Sequence, residues 1–198
     1  HGYGENSFIS FSFRHFLYNQ IEGRYYEISD DIDFMKTINY ENNNYTKFLL
    51  CKLKSKKLIA FQNINNDLIN VTNNIEYNKD LNIVNFTELF VNNENDNDND
   101  IKQKFIVLIF ETEIKFYNNN FVLISTFNFS QDKNNPFNIT HSRVSENLCL
   151  IFNQSDKKYF LLGLYENKIN NNEKEINEIM LSNNLYLRYS QLTNHIMS

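Results

Sequence analysis

Short apolar runs broken by polar turns recur along most of the chain. Residues 45–53 (YTKFLLCKL) and 57–62 (KLIAFQ) are two such runs joined by Lys54, Ser55 and Lys56, the pattern of a β-hairpin whose turn lacks glycine. Further strands are predicted at 104–110, 113–117 (EIKFY), 121–127 (FVLISTF), 137–142, 147–152 (NLCLIF), 158–164 (KYFLLGL) and 185–189. Asn118, Asn119 and Asn120 fall between two of these. Asn enters the left-handed backbone region more readily than most non-glycine residues, so it can turn the chain where glycine is scarce. Near the N-terminus, Ile9, Phe11 and Phe13 alternate with Ser10, Ser12 and Arg14, as in a strand with one buried face. Helical periodicity is weak. Residues 30–38 have room for one or two turns, and 173–181 place Ile176, Ile179 and Met180 at helical spacing.

Aromatic and β-branched enrichment, with a spacing of about ten residues, predicts an antiparallel all-β fold, either a propeller or a sandwich. The strand order favours the propeller. One set of strands beginning at Phe105 passes into a second beginning near Ile139, and propeller blades repeat at roughly 40–50 residues. The expected fold is therefore a partial WD40-like β-propeller of antiparallel blades carrying long Asn-rich loop insertions. Allowing for those insertions, residues 1–198 have room for about 2–3 blades, against about four to eight in a closed ring. The chain opens His1-Gly2-Tyr3-Gly4 without an initiator Met and stops at Ile196-Met197-Ser198, which fits a piece of a longer product.

Composition changes this picture in two ways. There are 37 Asn, four Gly, one Pro (Pro136), one Ala (Ala60) and no Trp. Asn, Lys, Ile, Tyr and Phe are read from AT-rich codons, so much of the bias reflects the genome rather than the function. The Asn also concentrates in low-complexity stretches at 63–78, 92–100 (NNENDNDND) and 166–175 (ENKINNNEKE), which are expected to be solvated insertions near 63–100 and 166–175. Yet 41% hydrophobic and 15% aromatic residues exclude wholesale disorder. A net charge of −5 without a basic stripe argues against a nucleic-acid partner. No apolar run reaches the length of a membrane-spanning helix, and no secretory leader pattern occurs, so direct membrane insertion is not expected.

Candidate chemistry is sparse. Cys51 and Cys149 each sit in an apolar run, where buried reduced thiols are the default. His15, His141 and His195 have no Cys or second His at metal-ligand spacing. A His141, Ser142 and Asp156 triad can be imagined, but no nucleophile-elbow glycines accompany it. Gly2-Tyr3-Gly4 lacks the third glycine and the preceding strand of a dinucleotide site. The acidic run 94–100 lacks the turn glycine and terminal Glu of an EF-hand. Phe8, Phe11, Phe13 and Phe16 could stack on bases or enter a membrane, but the alternation of Ile9, Phe11 and Phe13 with Ser10, Ser12 and Arg14 fits packing better. Sequons at Asn44, Asn70, Asn85, Asn128, Asn138 and Asn153 are few more than chance supplies in so Asn-rich a chain. No residue is assigned a catalytic, cofactor-binding or metal-ligating role, no small-molecule ligand is expected, and an enzyme is not expected.

One stretch resembles a known family. Ile114-Lys115-Phe116-Tyr117, three Asn, Val122–Phe127 and Phe129 are followed by Ile139, Ser142, Glu146, Leu148-Cys149-Leu150-Ile151, Asp156 and Tyr159–Leu164. In order and type this resembles the early blades of the N-terminal propeller in the vacuolar protein sorting-associated protein 16 family. Phe13-Arg14-His15-Phe16, Tyr25-Tyr26-Glu27-Ile28 and Leu58-Ile59-Ala60-Phe61-Gln62 are similar to that family's upstream segments. The family's tryptophans are missing and its turn glycines are replaced by Asn. The resemblance implies a non-catalytic scaffold in the HOPS and CORVET tethers, cytoplasmic and peripheral to endosome and vacuole membranes. Its partners would be the other protein subunits of the complex, in vesicle-mediated transport and fusion. The alternative is a secreted or surface-exposed β-rich binding protein without enzymatic activity, for which the sequons would matter.

Overall fold

A computed structural model describes residues 8–11, 16–19, 23–28, 30–39, 46–65, 67–92, 103–128, 138–145, 147–166 and 177–192. Among these residues the fold is all-β, with one 3-10 turn at Thr72–Asn74. Two compact units, residues 1–83 and 84–198, divide the chain.

The first unit holds two antiparallel meanders. Strands β1 (Phe8–Phe11), β2 (Phe16–Asn19) and β3 (Arg24–Glu27) form one; β4 (Ile32–Asn39), β5 (Thr46–Leu53), β6 (Leu58–Ile64) and β7 (Asp67–Asn70) form the other. Their shared core contains Leu17, Ile28, Leu49, Cys51, Leu53, Phe61 and Leu68. At its rim, Tyr26 Oη donates to Asp67 Oδ1 (2.7 Å) and accepts the Leu68 N–H (3.2 Å). The hairpin read at Lys54, Ser55 and Lys56 is present, with Lys56 at φ 62 in the place a glycine would take. Acidic side chains hold that turn: Asp30 Oδ2 accepts the Ser55 N–H, and Lys54 Nζ donates to Asp31 Oδ2.

The second unit holds the meander β8 (Ile83–Asn92), β9 (Lys104–Phe110), β10 (Glu113–Tyr117), β11 (Leu123–Asn128), whose first residue belongs to the preceding unit. It also holds β12 (Ile139–Val144), β13 (Leu148–Asn153), β14 (Lys158–Tyr165), β15 (Asn177–Ser182) and β16 (Leu185–Leu192). In this second sheet β16 lies between β14 and β15. A two-residue parallel bridge, Leu164 to Val91 and Tyr165 to Asn92, joins the meanders into one nine-stranded sheet. They share a core that includes Val107, Ile109, Phe116, Ile151, Leu162 and Leu187.

The all-β expectation holds. No closed barrel or closed propeller is formed among the described residues. Several central strands are buried on both faces. Phe48, Leu49, Leu50 and Cys51 are consecutive and buried in β5, as are all six residues from Phe105 to Phe110 in β9. Side chains alternate between faces, so each run requires cover on both sides.

Three local expectations are corrected. Residues 30–38 are not helical turns: Ile32–Asn39 pairs with β5 along its length. A helix that short is marginal alone, and pairing with the apolar β5 outweighs it. Likewise, residues 173–181 give way to strand Asn177–Ser182, where Ile179 and Leu181 face the core while Met180 is 64% exposed. The period is two, not 3.6. Finally, the region 63–100 is not one solvated insertion. It carries β7, the 3-10 turn and β8, and it buries Leu68, Ile75, Ile83, Phe86, Leu89 and Val91. Residues 93–100 and 167–175 lie outside the described residues, as do Phe13, Arg14 and Pro136.

The Asn turn works differently from the expectation. Asn118 Oδ1 accepts the N–H groups of Asn120 (2.9 Å) and Val122 (3.0 Å), while the left-handed residue is Phe121, at φ 60. Asn does take the left-handed conformation at Asn65 and Asn184. Here the side chain, not the backbone, supplies the turn, as in an Asx turn.

Candidate functional site

The imagined triad does not assemble. His141 and Ser142 are neighbours on β12, and adjacent strand residues project to opposite faces. The His141 ring meets Thr140 Oγ1 (3.0 Å) and lies beside Phe152, whereas Ser142 Oγ accepts from Asn85 Nδ2 at 2.6 Å. Asp156 Oδ1 accepts the Lys158 N–H in the β13–β14 turn. Each candidate is occupied in local structure. His15, His195 and the Gly2-Tyr3-Gly4 segment lie outside the described residues, as does the acidic run 94–100. Among the described residues, no group of three or more His, Cys, Asp and Glu is gathered to hold a metal. Among them, too, no helix is long and apolar enough to cross a membrane.

Both cysteines are free and buried, Cys51 in the first unit's core and Cys149 in the second's. Burial pushes each thiol from 9.0 up to about 12, because the thiolate loses its hydration. The thiolate is the reactive form, so these are packing groups rather than nucleophiles. A thiol-specific reagent at pH 8 is expected to label neither in the native protein and both in denaturant. Since the folded-state values are raised, the stabilisation is complete below pH 9 and is lost as pH climbs towards about 12. A denaturation series across that window measures it.

The charges that do enter the interior were missed in the sequence. Lys104 Nζ lies 2.7 Å from Glu88 Oε1, close enough for an ion pair, although that oxygen receives no well-directed hydrogen bond. Lys115 Nζ donates to Thr126 Oγ1 at 2.9 Å and sits 3.7 Å from Glu113 Oε1. Arg188 Nε donates to Glu178 Oε2 at 3.0 Å, and its guanidinium lies over the Tyr165 ring at 4.0 Å. Glu178 and Arg188 are direct partners across the β15–β16 hairpin. A register shift between Met180 and Ser182 sets that pairing, so a regular hairpin read from the sequence would have placed Tyr189 opposite Glu178.

The sequon residues divide by environment. Asn70, Asn128 and Asn138 are exposed, and Asn44 lies outside the described residues. Asn70 Oδ1 accepts both the Thr72 N–H (3.0 Å) and the Thr72 hydroxyl (2.7 Å). The Asn85 carboxamide is tied to Ser142. Asn153 is 3% exposed, and its Oδ1 accepts the N–H groups of Asn138 (2.8 Å) and Ser155 (3.3 Å). No glycan fits on Asn153 in this fold. Asn153→Ala is expected to cost about 1–3 kcal/mol in a urea titration, since it strands two donors. Asn153→Asp keeps the acceptor and should lose less.

No family model matches the chain, and no curated protein matches it.

Proposed function

We propose that this chain is part of a β-propeller that serves as a non-catalytic scaffold, a subunit of an endosomal and vacuolar tethering complex of the HOPS and CORVET kind. The observation that carries the reading is the double-sided burial of β5 and β9 within successive antiparallel meanders. An isolated antiparallel sheet commonly leaves one face in water, whereas a blade in a propeller is covered on both. The four-stranded meanders begin at Ile32 and Ile83, about fifty residues apart and close to a propeller repeat, and a further set of strands begins at Ile139; the three-stranded meander from Phe8 falls outside that spacing. The segments that resemble the vacuolar protein sorting-associated protein 16 family lie on strands. Ile114–Tyr117 is in β10, Val122–Phe127 covers most of β11, Leu148–Ile151 is in β13, and Tyr159–Leu164 is in β14. Phe129 and Glu146 lie outside the described residues.

The function follows from surface rather than chemistry. A propeller presents loops for protein contacts while its strands supply rigidity. In this reading the protein works in the cytoplasm, at the periphery of endosome and vacuole membranes, through its partner subunits. The test is recovery of the tagged full-length product from its own cells, with identification of what accompanies it. Recovery of the other tether subunits supports the reading. N-glycans on Asn70, Asn128 or Asn138 would overturn it in favour of a secreted or surface-exposed binding protein.

A further inference from the structure

We draw no further inference here: the strongest candidate, the face of the β12–β13–β14–β16–β15 sheet opposite the core, where Leu148, Leu150, Phe152, Tyr159 and Leu161 are half-buried, is an apolar sheet face with nothing in the structure to show what covers it.

Discussion

Phe116→Ala is expected to lower the stability of the second unit by about 3–5 kcal/mol, a large part of the roughly 5–15 kcal/mol that holds a typical domain folded. Phe116 is 1% exposed in the core shared by the two meanders, and lies between Val107 on β9 and Ser125 on β11. Truncation loses the transfer free energy of the ring and leaves a cavity that strands fixed by ladder hydrogen bonds close poorly. Val122→Ala is the control. Val122 is 56% exposed, so its loss should stay within about 0.5 kcal/mol. Urea denaturation followed by circular dichroism gives both values. The buried cysteines add a local readout, one in each unit's core. Cys149 should become reactive at lower denaturant in Phe116→Ala than in the unmodified chain. A loss below about 1 kcal/mol, with Cys149 still protected, would mean that β10 does not sit in this core.

What was legible in the sequence tracks how apolar each strand is. β5, β6, β9, β10, β13 and β14 are dense in Leu, Ile, Val and Phe, so their position could be read from pattern alone. β4, β7 and β15 were lost or misread because Asn, Asp, Glu and Lys interrupt them, whereas β8, apolar at Ile83, Val84, Phe86, Leu89, Phe90 and Val91, was lost because Asn-rich stretches flank it on both sides. The strand character of the first three comes from a neighbour: β4 is held by β5, β7 by β6, and β15 by β16. Such pairing is tertiary, and local propensity does not contain it. Asn misled in a second way. Its abundance in 63–78 suggested a loop, although Leu68 and Ile75 there are buried and the side chains of Asn70 and Asn78 hold turns through hydrogen bonds. The candidate triad was legible as residues but not as geometry, because alternation along β12 sends His141 and Ser142 apart.

Glu178→Leu should cost about 3 kcal/mol, and adding Arg188→Met should recover most of it. The pair bridges β15 and β16, with side chains 8% exposed for Arg188 and 13% for Glu178. Removing the carboxylate leaves a nearly buried guanidinium with its hydration gone, a loss its contact with Tyr165 offsets only in part. Removing both charges takes the desolvation cost away with them, and the long Met side chain can still cover Tyr165. Gly163 is the cross-strand partner of Arg188 on β14, and a Cβ there would come within 2.9 Å of Tyr165 Cε2 and 3.0 Å of Leu148 Cδ2. The absent side chain therefore makes room for the Tyr165 ring on which Arg188 rests. A double-mutant cycle in urea measures the coupling, expected at about 2–3 kcal/mol. Lys54 and Asp31, a pair with a 61% exposed lysine, should couple far more weakly, and what coupling there is should fall in salt. If the Glu178 and Arg188 losses simply add, the two charges do not act as a pair, and the hairpin is held by its backbone ladder and by Leu185 and Leu187 in the core.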